Sequence, residues 1–131
     1  MYLKKIVFTF LLFPFALLAS PIVNGEGDTT IVFSETMHDF GTIEKGQTIT
    51  YKFVFKNEGK EDLILLDVRS TCHNLHIDWP KEEIKKGQTG EIRISFKAVE
   101  ITTFTKKIIV YSTATPSPEV LIIKGHIINK K

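Results

Sequence analysis

Between Ser70 and Pro80 the chain reads STCHNLHIDWP. The segment gathers the only cysteine, Cys72, two of the four histidines, His73 and His76, and the only tryptophan, Trp79, with Asn74 and Asp78 between them. A thiolate and imidazoles are ligands for zinc and copper. With His38 brought from upstream, Cys72 and His76 make a candidate set of one sulfur and two nitrogens. The set falls short of either metal's needs. Blue copper sites add a methionine, and none follows Met37, while structural zinc takes four good ligands. The competing reading is structural. If Leu75–Trp79 is extended, Leu75, Ile77 and Trp79 share one face while Asn74, His76 and Asp78 share the other, as period-two alternation requires. That reading predicts a strand end and a strand here, with no metal and no cofactor. Cys72 has no second cysteine in the chain to pair with. It is expected as a free thiol, or as a bridge that makes a dimer through Cys72, and burial as an inert small hydrophobe is the bland alternative.

Catalytic signatures are missing elsewhere. There is no G-x-S-x-G, no H-E-x-x-H and no glycine-rich phosphate loop. Asp39 beside His38 reads as a polar strand end rather than half of a catalytic pair. A glycosidase needs two carboxylates held across a cleft, for which a domain this small has little room. The expectation is a protein that is not an enzyme.

The elements that would carry these residues are strands. ITYKFVFKN, from Ile49, puts Ile49, Tyr51, Phe53 and Phe55 on one face and Thr50, Lys52 and Lys56 on the other. GEIRISFK, from Gly90, does the same with Ile92, Ile94 and Phe96 inward. Further strands are expected from Asp62 (DLILLDVRS), Phe104 (FTKKIIVYS), Glu119 (EVLIIKGHI) and, shorter, Thr30 (TIVFS). The strand from Glu119 is apolar on both faces near Leu121 to Ile123, which places it centrally in its sheet. Gly59 in KNEGKED suits a positive φ in a hairpin-type loop. IEKGQT at Ile43–Thr48 recurs as IKKGQT at Ile84–Thr89, each copy leading into a strand. The echo predicts a repeated turn in which Gly46 and Gly87 take a conformation other residues resist. Strands about ten residues apart, joined by Gly and Pro turns, predict an immunoglobulin-like antiparallel β-sandwich of seven to eight strands.

The N-terminus has another character. After Lys4 and Lys5, residues 6–19 (IVFTFLLFPFALLA) are an uncharged apolar run. A basic start and an apolar run of this length form a secretory signal peptide, expected to be helical and cut between residues 19 and 25. The rival is an uncleaved anchor from Ile6 to Val23, interrupted by Pro14 and Pro21. The domain plan is a signal peptide over residues 1–25 and a single sandwich over 26–131. The formal charge of +2 belongs to Lys4 and Lys5, and the rest of the chain balances 15 acidic residues with 15 basic ones. A neutral domain has no electrostatic reason to hold nucleic acid or anionic lipid, so neither is expected as a partner.

HDFGTIEKGQTITYKFVFKNEGKEDLILLDVRSTC, WPKEEIKKGQTGEIRISF and KKIIVYSTATPSPEVLIIKGHI together resemble the exported bacterial family called domain of unknown function 1573, common in Bacteroidetes, over about His38 to Ile127. The resemblance implies an immunoglobulin-like fold similar to ASH and major-sperm-protein sandwiches, and no established catalytic activity. One departure matters. The family usually has C-G-C-T where this chain has Cys72-His73-Asn74-Leu75, so whatever a paired cysteine does in relatives does not transfer here. The function expected is that of an exported, non-catalytic module, periplasmic or extracellular, binding a protein or peptide partner in the cell envelope. The alternatives are an envelope metal- or thiol-binding protein using Cys72 and His76, and a carbohydrate-binding module suggested by ten Phe, three Tyr and one Trp.

Overall fold

The computed structural model describes residues 29–130. The signal-peptide helix assigned to residues 1–25 lies outside them. The strands are β1 (Ile31–Phe33), β2 (Met37–Glu44), β3 (Thr48–Asn57), β4 (Leu65–Arg69), β5 (Leu75–Asp78), β6 (Thr89–Lys97), β7 (Thr103–Ser112) and β8 (Glu119–Ile128). They form two four-stranded sheets, β1-β3-β6-β5 and β2-β8-β7-β4. Taken as A-B-E-D and G-F-C, the orders are those of an immunoglobulin sandwich, with β2 added outside the last strand. The all-β sandwich expected from the alternation is therefore the fold, and β8 is central in its sheet as its two apolar faces required.

One pairing is not antiparallel. β2 runs parallel to β8, and its register slips between Asp39 and Thr42. Gly41 takes φ 71° at the slip, and its N–H is held by Asp39 Oδ1 at 2.8 Å. A bulge shifts the side chains beyond it to the opposite face, so no single period runs through MHDFGTIE. The sequence accordingly betrays only a polar strand end at His38-Asp39, not the strand as a whole.

The core is built from the inward sets of both sheets. Phe53, Phe55, Ile92, Ile94 and Phe96 from one meet Ile108, Val110, Leu121 and Ile123 from the other, all essentially inaccessible to solvent. Tyr51, Phe53 and Phe55 and Ile92, Ile94 and Phe96 line the inner side of one sheet as cross-strand neighbours. Tyr51 pairs with Ile94, and Phe53 with Ile92. Tyr51 is only half-buried, because its hydroxyl reaches out to donate to the Glu35 carboxylate. Each sheet also sets a phenylalanine opposite a glycine, Phe55 with Gly90 and Phe104 with Gly125. A Cβ on Gly90 would lie 2.6 Å from the Phe55 ring, and one on Gly125 2.8 Å from the Phe104 ring.

The repeated turn is real, and its two copies are related by the β3–β6 pair. Gly46 and Gly87 take φ 95° and 79°. In the first copy Gly46 N–H donates to Ala98 O, Ala98 N–H donates to Gln47 O, and the Gln47 side chain accepts from Glu44 N–H. In the second, Gly87 N–H donates to Asn57 O, Asn57 N–H donates to Gln88 O, and the Gln88 side chain accepts from Lys85 N–H. Each turn caps the far end of the strand that follows the other. The IxKGQT echo is thus a pseudo-two-fold in hydrogen bonding, which the matching spacing of Gly and Gln makes possible.

Gly59 departs from expectation. It is buried and is not among the positive-φ glycines. The loop is no hairpin either, since β3 and β4 lie in different sheets. The turn is set instead by Asn57, fully buried, whose Oδ1 accepts from Gly59 N–H (2.9 Å) while Nδ2 donates to Glu61 O and Ile84 O (both 2.8 Å). A side-chain amide that closes an Asx-type turn removes the need for left-handed backbone at the glycine.

Candidate functional site

STCHNLHIDWP crosses from one sheet to the other. β4 ends at Arg69 on the edge of the second sheet, and β5 begins at Leu75 on the edge of the first. Cys72 sits in the crossing, half-buried against the core. Its Sγ lies 3.5 Å from Asn74 Oδ1, and its N–H is held by Ser70 Oγ at 3.3 Å. Asn74 Nδ2 donates to Lys97 O at 2.9 Å, tying the crossing to the end of β6. Asn74 is therefore a structural clip in this chain.

β5 follows the predicted alternation. Leu75 is buried, Ile77 and Trp79 are packed against the core margin, and His76 and Asp78 are exposed on the outer face. Trp79 carries the Lys81 ammonium 3.8 Å from its ring centroid, and the same ammonium donates to Trp79 O at 3.0 Å. The Trp79 indole N–H is buried without a protein acceptor.

Register places the outward side chains of this sheet in two rows, Thr50–Ser95–His76 and Lys52–Arg93–Asp78. They floor a shallow depression of about 710 Å³. Its charges are mutually compensated. Arg93 Nε donates to Glu91 at 2.8 Å, and Lys52 stands 3.9 Å from the same carboxylate. The hydrogen bond from Arg93 holds Glu91 below the usual carboxylate range against a smaller opposing effect of desolvation, and the Lys52 charge assists. Arg93 is raised in return, chiefly by that hydrogen bond. Both partners stay ionised near neutral pH, so this pair is not poised to exchange protons.

His38 lies on β2, stacked on Tyr51 with ring centroids 3.8 Å apart, and edge-on to Phe40 at 4.6 Å. The Tyr51 hydroxyl is raised above its ordinary value, first by its hydrogen bond to Glu35, then by burial and by the Glu35 charge. Cys72, His76 and His38 thus occupy a crossing loop, an outer strand face and an aromatic stack. Among the described residues no group of three or more His, Cys, Asp or Glu side chains comes together to hold a metal. The Phe, Tyr and Trp rings of the described residues are all buried or half-buried, and the exposed large hydrophobics (Leu66 at 61% the most open) are aliphatic. Flat stacking platforms for sugar rings are not displayed. Asn57 and the Glu35–Tyr51–His38 stack are what residue-type searching missed. A lone Asn after an alternating strand was the available signal for the first, and nothing in sequence links Glu35 to Tyr51.

Among the described residues two unpaired edges bound each sheet, β1 and β5 on one, β2 and β4 on the other. This defines an immunoglobulin-like sandwich with open edges, and solved structures of that class match it. A protein of unknown function from Porphyromonas gingivalis W83 superposes with TM-score 0.68 at 17% identity, covering 79% of this chain and 49% of that one. This chain therefore spans about half the length of that protein. The ASH / PapD-like domain 7 of human CEP192 superposes with TM-score 0.68 at 13% identity, covering 91% of this chain and 99% of that domain. The secreted serine protease VesC from Vibrio cholerae gives TM-score 0.61 at 16% identity, covering 75% of this chain and 23% of that one. No curated protein matches the chain. The family model described as "Protein of unknown function (DUF1573)" matches residues 31–127, and the chain belongs to that family.

Proposed function

We propose that this is a non-catalytic interaction module of the bacterial envelope, exported by its N-terminal segment and binding a protein or peptide by adding a strand to an open sheet edge. The observation that carries the reading is that, among the described residues, four edge strands are unpaired and the titratable side chains form no metal cluster. An open edge presents backbone N–H and C=O groups that another extended segment satisfies. The acid–base pairs on the outer face are closed on themselves, which suits a surface rather than a reaction centre. The test is capture from an envelope extract followed by amide hydrogen exchange on the purified complex. The reading expects one stoichiometric protein or peptide partner and slowed exchange confined to one edge strand. Stoichiometric metal in the purified protein, lost in both Cys72→Ser and His76→Ala, replaces it with the metal reading. Protection of loops with no edge strand protected overturns strand addition.

A further inference from the structure

Edges that stay monomeric usually carry a device against pairing, such as a bulge, a lysine, a proline or brevity. β2 and β4 are both broken by register shifts, between Asp39 and Thr42 and between Leu65 and Asp67. β1 has three residues. β5 has four in unbroken register with β6, and neither lysine nor proline within it. It is the least defended edge among the described residues.

The direction of its free groups follows from one hydrogen bond. Lys97 N–H donates to Asn74 O at 3.1 Å, and the β5–β6 register sets these two residues opposite each other. In an antiparallel ladder the bonded pairs alternate, so His76 and Asp78 turn their backbone groups toward β6. Leu75 and Ile77 turn theirs to the open edge, and the same alternation continued one residue past β5 turns those of Trp79 that way. Trp79 O already holds the Lys81 ammonium, and a carbonyl has a second lone pair for another donor.

We propose that two copies of this chain pair antiparallel along β5, about a two-fold axis at Ile77, joining their β1-β3-β6-β5 sheets into one of eight strands. At that register Ile77 bonds Ile77 of the second copy in both directions, and Leu75 and Trp79 bond each other across the axis. His76 then lies opposite Asp78 of the second copy, twice, in the non-bonded positions where side chains come closest. An imidazole donating to a carboxylate is matched whichever charge state the ring holds. The apolar set Leu75, Ile77 and Trp79 continues on the inner face and the polar set on the outer face, so a pattern that serves one sandwich serves the pair. An isologous contact needs this self-complementarity, and His-Ile-Asp supplies it about its centre. A four-residue edge falls below the ~1,200 Å² of a standard interface, so the pair belongs to the weak, concentration-dependent class.

The inference rests on the strand-adding reading and narrows it to one edge and one occupant. The experiment is sedimentation of the full chain, as the host leaves its N-terminus, from about 10 μM to about 1 mM, in reductant so that a Cys72 disulfide contributes nothing. The expected result is a rise from one chain's mass to two. Ile77→Pro removes the central outward N–H at an edge position where proline is tolerated, and is expected to stay monomeric with an unchanged circular dichroism spectrum. His76→Asp and Asp78→His each set like groups opposite one another and are expected to weaken pairing about tenfold. The double swap His76→Asp with Asp78→His is expected to restore it. A single-chain mass throughout overturns the proposal, as does a double swap no better than either single change, or a dimer untouched by folded Ile77→Pro. Loss of self-pairing leaves protection of β1, β2 or β4 by an envelope partner as a separate observation.

Discussion

Asn57 shows how one side chain sets a connection. It is wholly buried and meets three backbone groups, Gly59 N–H, Glu61 O and Ile84 O. Asn57→Ala strands these groups away from water, and an unsatisfied buried polar group costs about 1–3 kcal/mol. We expect Asn57→Ala to lose about 3 kcal/mol in urea unfolding, and Asn57→Asp to lose more, because its carboxylate would face two carbonyl oxygens. A variant within about 1 kcal/mol of the parent sinks this account. The apolar core gives the companion case. Phe53 and Phe96 are inaccessible, and truncating a buried Phe costs about 3–5 kcal/mol out of the roughly 5–15 kcal/mol that holds a domain. Phe53→Ala and Phe96→Ala are expected to leave little folded protein. Lys52→Ala and Arg93→Ala, which touch only exposed ion pairs, are expected to be nearly silent, because exposed pairs in high dielectric contribute little. Equal melting temperatures across the four would refute the inward-face assignment.

At the scale of elements, glycines separate two kinds of constraint. Gly46 and Gly87 have positive φ and open space for 4 Å around the point a Cβ would occupy, while Gly90 has ordinary φ and the Phe55 ring at 2.6 Å. Alanine at either turn meets only backbone strain of about 1–2 kcal/mol, and the matched hydrogen bonding of the turns predicts equal losses for Gly46→Ala and Gly87→Ala. Gly90→Ala fails for another reason, and Phe55→Leu in the same chain should recover part of its loss while doing nothing for Gly46→Ala. Denaturant midpoints of these variants, singly and combined, check both statements. The turn glycines were legible from the sequence because the repeat fixes them with their neighbours. Gly90 and Gly125 were not, since the demand comes from a ring on an adjacent strand. β3 and β6 could be read from alternation alone and β8 from its two apolar faces, whereas β2 is hidden by its bulge and by pairing that only a distant strand supplies. Of the opening segment, the alternation of Leu75, Ile77 and Trp79 was readable. The role of Asn74 in holding Lys97 was not, because it depends on where β6 ends.

For the molecule as a whole, the first backbone contacts of the described residues tie the start of β1 to the sandwich. Thr29 O accepts from Thr115 N–H at 3.2 Å and Thr30 O from Glu58 N–H at 3.0 Å, and Ile31, the first residue of β1, is buried. Residues up to 25, which the proposed export reading takes as the signal segment, come before all of these contacts in the chain. Two truncations therefore have opposite consequences. A chain beginning at Glu26 keeps every pairing described and is expected to melt as the host-processed protein does. A chain beginning at Ser34 loses β1, its register of Ile31 to Asn57 and Phe33 to Phe55, and the Phe33–Phe55 ring contact at 5.6 Å. It also uncovers the edge of β3 along the core-lining Phe55, and burial of side chains the size of Ile31 and Phe33 is worth about 1.5–3 kcal/mol each when complete. Its melting temperature is expected to fall by on the order of 10 °C or more, since ~1 kcal/mol moves a domain of this size by about 4–8 °C. Mass analysis of protein recovered from the envelope fixes the natural first residue, and calorimetry of the three forms supplies the comparison. A natural start beyond Ile31, or a chain from Ser34 as stable as the chain from Glu26, would show that β1 is dispensable and that the sandwich proper starts at β2.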